Sequence, residues 1–282
     1  MYSFKDLPKF LNNNSPIKLF QNRKISKKFI QFPLQKKYWI NVDSEIDIYI
    51  VAFNQPSLIE EQIFFLQKFC LDKYRLIIVD NSNDNKQSQK IEGICIKNKT
   101  NYIKLPENKL KASYSHALAL NYIVKNIIQK QQTPYIWFLD HDCFLVKQLS
   151  IIPILKKQKI WWHLMNPIKF SVGYYSFNMS WKRRNLWPWC AFYDKKVFNN
   201  GFDFFPNKQI FPISFLDTWG WNRQYIYKFY DYKKLNLLKN KKENILEWTE
   251  NIWNIFCHLG WAGYRDSNTI LELQNNLHNI YF

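Results

Sequence analysis

The chain has 282 residues and a mass of 34.5 kDa, which is enough to bury a substantial core. Its hydrophobic fraction of 47% and aromatic fraction of 18% exclude a disordered chain, and its 6 glycines exclude a collagen-like one. The net charge of +18 leaves nucleic acid, a membrane surface or an acidic substrate open as partners, while A/T-rich codon usage would give a similar lysine excess.

The first 45 residues differ from the rest of the chain. Residues 1–40 hold nine Lys or Arg and one acid, and Asn12–Asn14 and Pro16 interrupt any regular period. We therefore predict that residues 1–45 form an irregular basic arm or a cap on the main domain, without an apolar secretory signal. No apolar run reaches the roughly 18 residues of a membrane-spanning helix. The five cysteines have no zinc-site spacing, which favours a reducing cytoplasm.

Two strands and a helix are predicted next. The β-branched and aromatic run Ile46–Phe53 predicts a strand. Ser57, with Glu60 three residues later, has the pattern of a capping box that begins a helix. The nearly all-apolar run Arg75–Asp80 is typical of a buried parallel strand.

Three further elements complete the pattern. We predict a short strand over residues 101–105, a helix from Ser113 to Gln129, and a strand over residues 135–139. Strands that alternate with helices predict an α/β fold with a mainly parallel central sheet flanked by helices. Within it we expect a nucleotide-binding half over residues 46–150 and an acceptor-binding half of the same domain over residues 151–282.

Polar side chains follow three of these strands. Asn54 follows the first, Asp80 and Asn81 end the second, and Asp140 and Asp142 follow the fourth. The carboxyl ends of parallel strands share one sheet edge, so these residues should converge on one crevice. No glycine precedes residue 93, which excludes a glycine-rich phosphate loop there. Side chains and a metal would have to hold any phosphates.

Asp140-His141-Asp142 is the most specific motif. On an extended backbone the two carboxylates would face one spot and His141 would face away. Paired carboxylates suit Mg²⁺ or Mn²⁺, and the alternative is a solvated turn after the strand.

At this point the sequence resembles the GT-A glycosyltransferases, close to the family 2 group. The resemblance covers roughly residues 46 to 265 and depends on the order and spacing of individually weak motifs. Those motifs are Ile48–Gln55, Ile77–Ser82, Leu105–Asn108 with the helix start at Ser113, Phe138–Asp142, Pro188–Phe198 with Gly201–Asp203, and Phe215–Thr218. The family's usual glycine after Asn108 is Lys109 here, and Leu216 replaces the acid that often precedes the catalytic one.

The resemblance implies a function and a set of site residues. It implies a metal-dependent transfer of a sugar from a nucleotide-sugar donor to a hydroxyl of a glycan or lipid-linked acceptor, with inversion. Mn²⁺ or Mg²⁺ would lie on Asp140 and Asp142, with His258 as a further ligand. The donor would contact Ala52, Phe53, Asn54, Asp80, Asn81, Asn108, Ser113, Asp140 and His141.

The remaining residues concern the acceptor. The resemblance implies that Asp217 is the catalytic base, although an Asp before a helix is also a common N-cap. Trp189, Trp219 and Trp221 are candidates for packing against the acceptor sugar, and Arg265 for an acceptor or phosphate contact. Core packing is the alternative for the tryptophans, and a buried structural histidine is the alternative for His258.

These observations favour a cytoplasmic enzyme of surface-polysaccharide or lipopolysaccharide synthesis. The alternative is a nucleic-acid-binding or non-catalytic interaction protein, but the basic residues form no compact stripe and no nucleic-acid-binding motif is present. Sixteen units of net positive charge lie in residues 1–40 and 151–200, eight in each, and uniform codon bias does not predict that distribution. We therefore expect these segments to face an anionic membrane surface or an anionic acceptor, and expect no nucleic-acid partner.

Overall fold

The structure is a computed structural model. It describes residues 16–108, 110, 112–157, 160–165, 170–172, 175–177, 185–200, 203–204, 237–238, 250–252, 255–259 and 267–281. The helices are α1 (Pro16–Ile30), α2 (Pro56–Phe69), α3 (Asn85–Lys97), α4 (Ala112–Asn126), α5 (Ile152–Lys157) and α6 (Ser267–Tyr281). The strands are β1 (Lys36–Tyr38), β2 (Ile46–Ala52), β3 (Tyr74–Asp80), β4 (Asn101–Lys104), β5 (Tyr135–Asp140), β6 (Cys143–Leu145), β7 (Ile160–Met165), β8 (Phe170–Val172), β9 (Tyr175–Phe177), β10 (Asn185–Asp194), β11 (Leu237–Leu238), β12 (Glu250–Ile252) and β13 (Phe256–His258).

The main sheet has eight strands in the order β1-β4-β3-β2-β5-β10-β7-β11. Strands β4, β3, β2 and β5 are parallel, whereas β1 and β10 run antiparallel to β4 and β5. A second sheet has the order β12-β13-β6. The predicted fold class, an α/β fold with a mainly parallel sheet flanked by helices, is confirmed. The division into halves at residue 150 stays a prediction.

The central strands are buried on both faces. All seven residues of β2 are buried, with alternate side chains in two separate hydrophobic clusters. Tyr49 and Val51 pack in the cluster that includes α4, while Ile48 and Ile50 pack in the cluster that includes α2 and α3. This double burial explains why the strand is a continuous apolar run rather than an alternating one.

Two helix starts differ from the prediction. Helix α2 begins at Pro56, with Gln55 as N-cap and no side-chain capping bond, so the capping box at Ser57 and Glu60 is wrong. Proline supplies the fixed backbone angle that the first helical position needs, and the N-cap lies two residues earlier than predicted. Helix α3 was not predicted; it begins because the Asp84 carboxylate accepts the N–H groups of Lys86 and Gln87.

For the described part of residues 1–45, the prediction of an irregular arm is wrong, and the alternative, a cap on the main domain, fits the structure. Residues 16–30 form α1, which packs on α4, and residues 36–38 form β1 at the sheet edge. Phe29 is only 4% exposed, and its ring packs edge-on against the ring of Tyr122 in α4, with 5.7 Å between the ring centres. The apolar contact with α4 stabilises this helix, which Asn12–Asn14 before it and Pro16 at its first position had obscured in the sequence.

The antiparallel strand β10 completes the central sheet. Strand β10 covers residues 185–194, and a 3-10 helix, Lys195–Asn200, follows it directly. Strand β10 pairs in register with β5 from Cys190 opposite Leu139 to Asp194 opposite Tyr135. Among the described residues, no helix is both long enough and apolar enough to cross a bilayer.

A buried ion pair joins β2 and β3 near their amino ends. Asp47 in β2 and Arg75 in β3 are 0% and 10% exposed, and two bonds of 2.9 and 2.7 Å join the carboxylate to the guanidinium. Burial raises the pKa of Asp47, although Arg75 opposes the rise. The Tyr49 hydroxyl also donates to Asp47, and Arg75 also donates to the Thr133 hydroxyl.

Removing one partner of this pair should destabilise the fold. The Asp47→Ala substitution leaves a buried guanidinium without its carboxylate, so we expect the free energy of unfolding to fall by about 3–5 kcal/mol. Urea titration followed by circular dichroism measures the loss. Asp43→Asn is the matched control, because it breaks an exposed pair with Lys73 and should leave the midpoint unchanged. A loss as small as that of the control would contradict the prediction.

Candidate active site

The register of the parallel strands brings the predicted residues to one edge. Ala52 is opposite Asp80 across the β2–β3 pair, and Val51 is opposite Asp140 across the β2–β5 pair. The ends of three strands therefore lie within one residue of the same level. The sheet thus places Asn54, Asn81 and the Asp140 turn along one edge, as the sequence predicted.

Asn54 joins two loops at this edge. Its backbone has a φ of 54°, a left-handed conformation that Asn tolerates better than most residues. Its N–H donates to Ser82 Oγ at 2.8 Å, and its amide nitrogen donates to Asn83 Oδ1 at 2.7 Å. Its amide oxygen accepts the N–H of Asp84 at 3.2 Å. The side chain thus ties the β2–α2 loop to the β3–α3 loop. Ala52 before it is buried, and Phe53 is partly exposed.

Asp80 is a buried hub rather than an open ligand. Its side chain is 0% exposed, and it accepts hydrogen bonds from the Ser82 N–H, the Ser88 hydroxyl, the Tyr102 hydroxyl and Lys104 Nζ. Burial alone would raise the pKa of Asp80, but the bonds from Ser82 and Ser88 and the Lys104 charge bring it below its ordinary value. The predicted contact of its carboxylate with a base or ribose would require at least one of these donors to move.

Asn81 and Asn108 form a second link between loops. Asn108 donates to Asn81 Oδ1 at 3.0 Å, and Asn81 donates to Ser115 Oγ at 2.9 Å. Asn108 Oδ1 also accepts the N–H of Leu110 at 3.1 Å. This chain of amides connects the end of β3 to the first turn of α4, where the backbone of Ser113 lies.

The Asp140-His141-Asp142 segment is a turn rather than an extended strand. Strand β5 ends at Asp140, and residues 141 and 142 form the turn into β6, so the expected alternation of side chains is wrong here. Gln62 of α2, which is 0% exposed, donates to the carbonyl oxygens of Asp140 at 2.7 Å and Cys143 at 2.8 Å. These two bonds fix both ends of the turn. Nε2 of His141 is buried and has no hydrogen-bond partner among the described residues.

Four charged or titratable side chains gather at this turn. Asp142 Oδ1 lies 3.5 Å from His258 Nε2, and Asp140 Oδ1 lies 3.4 Å from His116 Nε2 of α4. The β13–β6 pairing places His258 opposite Cys143, and the Leu259 N–H donates to the Asp142 carbonyl oxygen at 2.8 Å. Burial raises the pKa of Asp140; Asp142 adds to the rise, while His116 and His258 oppose it.

These residues have donor types that fit a divalent ion in part. Two carboxylates and an imidazole suit Mn²⁺, and carboxylates with phosphate oxygens suit Mg²⁺. No group of three or more His, Cys, Asp or Glu side chains among the described residues already forms a metal cage. Such ions often take one or two protein carboxylates and complete their shell with substrate phosphates and water. Asp140, Asp142 and His258 fit that incomplete kind of site.

Four of the predicted residues lie outside the described part of the chain: Asp217, Trp219, Trp221 and Arg265. Trp189 lies in β10 directly before Cys190, whose partner in β5 is Leu139. Its backbone is therefore at the level of Asp140, at the edge where the acid turn begins. The roles assigned to all the site residues stay predictions.

Sequence reasoning missed two residues that contact the turn. Gln62 was passed over within the apolar spacing of α2, although a polar residue among Leu58, Ile59 and Ile63 indicates a buried hydrogen bond. His116 received no role from the sequence, and the structure places it beside Asp140. Its place on the helix after β4 did not indicate that it would lie close to Asp140, which is 24 positions later in the sequence.

Comparison with known proteins identifies similar structures but no family. No family model matches the chain, and neither does any curated protein. The crystal structure of an S. aureus TarS fragment with UDP-GlcNAc is 14% identical, with a TM-score of 0.38, and the match covers 57% of this chain and 48% of that one. For mannosyltransferase PcManGT from Pyrobaculum calidifontis, in complex with GDP-Man and Mn²⁺, the values are 12%, 0.39, 65% and 55%.

A third similar structure is glucosyl-3-phosphoglycerate synthase from Mycobacterium tuberculosis, in complex with phosphoglyceric acid. It is 17% identical, with a TM-score of 0.32, and the match covers 47% of this chain and 52% of that chain. The chain spans about half the length of each of these three structures. At these values the likenesses identify no substrate and no reaction for this chain.

The buried carboxylate at the end of β3 predicts a pH-dependent stability. Because the pKa of Asp80 is lowered in the folded state, its contribution is full above the unfolded value of about 3.8 and is lost as the pH falls through the folded pKa. Asp80→Asn should destabilise the wild-type fold by about 2–4 kcal/mol at pH 7 and flatten the acid side of its stability profile. Urea midpoints between pH 3 and pH 7 measure this. An unchanged profile in the variant would rule out Asp80 as the origin.

Proposed function

We propose that this chain is a metal-dependent glycosyltransferase that moves a sugar from a nucleotide-sugar donor to a hydroxyl of a glycan or lipid-linked acceptor. The single observation that supports it is the grouping of Asp140, Asp142 and His258 at the carboxyl edge of the parallel sheet. Two carboxylates and an imidazole there provide partial coordination for a cation that a diphosphate would complete. The sequence resemblance to GT-A enzymes adds the expected roles.

The loops beside the acid turn would hold the donor. Asn54, Asn81 and Asn108 line up along the edge and provide amide groups that can bond a base, ribose or phosphate. Asp80 fixes the end of β3 from below, so its part is to shape the loop on which Asn81 and Ser82 lie. His116 orients the Asp140 carboxylate, and Gln62 holds the backbone on which both acids stand.

The reaction would be a single displacement at the anomeric carbon. Mn²⁺ or Mg²⁺ bound by Asp140, Asp142 and His258 would neutralise the charge that builds on the departing diphosphate. Asp217 would take the proton from the acceptor hydroxyl, and Trp189, Trp219 and Trp221 would pack against the acceptor sugar. Arg265 would pair with an anionic group of the acceptor through its planar guanidinium. Attack opposite to the leaving group inverts the configuration.

Helix α1 would face an anionic surface, such as the inner face of the cell membrane. Lys24, Lys27 and Lys28 are exposed along the helix, and Ile25 and Phe32 are 42% and 50% exposed. Basic side chains next to exposed apolar ones are the composition of a segment that lies at a lipid headgroup boundary. A lipid-linked precursor of a surface polysaccharide would be presented at that boundary.

Donor binding should require the acid turn. In a thermal-shift screen of nucleoside diphosphates, we expect the melting temperature of the wild-type protein to rise for one nucleotide, and more strongly with Mn²⁺. Asp142→Asn keeps the size of the side chain but removes its charge, so the Mn²⁺-dependent part of the rise should disappear. The control Asp43→Asn changes an exposed acid at the opposite edge and should preserve it.

A second variant separates binding from chemistry. Asp217→Asn should keep the nucleotide-induced rise and lose hydrolysis of the matching nucleotide sugar, because the base acts only on the attacking hydroxyl or water. The proposal is wrong if no nucleoside diphosphate raises the melting temperature, or if Asp142→Asn hydrolyses the nucleotide sugar as fast as wild type.

Binding to anionic vesicles should depend on α1. Replacing Lys24, Lys27 and Lys28 with Gln removes three charges from one helix and should weaken binding to phosphatidylserine vesicles about tenfold or more in a sedimentation assay. The matched control replaces Lys86, Lys90 and Lys97 of α3, which are also exposed, and should bind as wild type does. Equal losses in both triple variants would mean that the overall charge, rather than α1, determines binding.

A further inference from the structure

A concave surface lies at the amino ends of the central strands, away from the acid turn. It is a cleft of about 500 Å³, within the size range of small-ligand sites. Its walls come from β1, the segment before β2, the start of β3 and the segment before β5. The lining residues are Lys36, Trp39, Asn41, Val42, Asp43, Ser44, Arg75, Gln131, Gln132, Thr133 and Pro134.

This cleft is separate from the candidate active site. The seven residues of β2 run from Ile46 at the cleft to Ala52 at the opposite edge, a length of about 20 Å at the ordinary rise per residue. The two sites share no residue. Binding at this cleft is therefore independent of the proposed function.

Two cations share one aromatic ring in the wall of the cleft. Lys36 Nζ lies 4.0 Å from the centre of the Trp39 ring, and Arg75 Cζ lies 5.5 Å from it. Cation–π contacts of this kind hold a charge in place without neutralising it. Lys36 forms no ion pair with any acid in the described part of the chain. The cleft therefore carries a positive charge that has no counterion among the residues that the structure describes.

Arg75 can contribute one further donor. Its Nε and Nη2 hold Asp47, and Nη2 also donates to Gln131 and Thr133. Its Nη1 takes part in no hydrogen bond among the described residues, although the side chain is only 10% exposed and lines the cleft. The carboxylate of Asp43 on the rim is held by Lys73 at 2.7 Å. An anion in the cleft would thus meet donors and little repulsion.

The rest of the wall suits hydroxyl groups. Asn41, Ser44, Gln131 and Gln132 line the cleft with amide and hydroxyl groups. Asn41 Oδ1 accepts a bond from Trp39 Nε1, Ser44 donates to Asp47, and Gln131 Oε1 accepts from Arg75. The other N–H groups and lone pairs of these side chains can bond a ligand. Val42, Pro134 and the Trp39 ring add apolar surface of the kind that packs against the C–H face of a sugar ring. The cleft volume of about 500 Å³ is larger than inorganic phosphate needs. Its one net positive charge, amide groups and aromatic ring suit a larger, partly polar anion.

We propose that this cleft binds a sugar that carries one anionic group, a phosphate or a carboxylate. Lys36 and Arg75 Nη1 would contact the anionic group, and the amide side chains would bond the ring hydroxyls. Such a site would hold a charged saccharide far from the acid turn, as an anchoring or regulatory contact. The structure assigns it no chemistry beyond binding.

The test compares four probes on the full chain: glucose 6-phosphate, glucuronate, glucose and inorganic phosphate. Isothermal titration gives the dissociation constants, and the indole N–H signal of Trp39, identified with Trp39→Phe, reports the location by NMR. We expect one or both anionic sugars to bind and shift this signal, with glucose and phosphate at least tenfold weaker. Lys36→Gln should weaken binding about tenfold, since one charge-assisted bond is lost. Lys97→Gln, an exposed lysine on α3, should not.

Each outcome decides the proposal. Binding of neither anionic sugar overturns it, as does inorganic phosphate binding as tightly as glucose 6-phosphate, which would show a simple anion site. Equal affinity in Lys36→Gln and wild type would locate any binding elsewhere. The nucleotide-induced thermal shift should be the same in Lys36→Gln as in wild type. If no nucleotide binds at all, the proposed function fails while this test remains valid.

Discussion

Side-chain hydrogen bonds between loops, in place of glycine-rich turns, hold the edge of the sheet on which the candidate site depends. Asn54 bonds the loop after β3, Asp80 joins β3 to α3 and β4, and Gln62 clamps the turn after β5. No glycine precedes residue 93, so glycine-rich turns could not hold these loops together in the first part of the chain. Each loop is therefore fixed by a neighbouring element, and the site is rigid only while the whole edge is assembled.

The sequence predicted those elements whose burial leaves a clear pattern of apolar residues. Strands β2, β3 and β5 were predicted to within about one residue because they are buried on both faces and leave an unbroken apolar run. Helix α3 was missed because its sequence is mostly polar, with only Ser88, Ile91 and Cys95 buried, so its period was too weak to detect. Its start depends on one aspartate carboxylate, a signal that also occurs in ordinary loops.

The candidate site was predictable in position but not in geometry. Parallel strands oblige their carboxyl ends to share an edge, which is why Asn54, Asn81 and Asp140 were brought together as expected. The contacts of Asp140 with His116 and of Asp142 with His258 join residues far apart in sequence, and periodicity contains no information on such pairs. The turn at His141 was misjudged since an extended backbone was assumed beyond the last buried residue of β5.

Two backbone positions show how a chain poor in glycine manages left-handed geometry. Asn54 and Lys99 have φ values of 54° and 51°, and Lys99 closely follows the end of α3, where glycine is the common residue. A side chain in that conformation costs about 1 kcal/mol or more, so the protein retains local strain that a different residue would relieve. At Asn54 the strain is coupled to the bonds that the amide makes, whereas the Lys99 side chain makes none of the described hydrogen bonds. Evolution could therefore raise the stability of this fold at the second position without touching the first, which leaves room for destabilising changes near the acid turn.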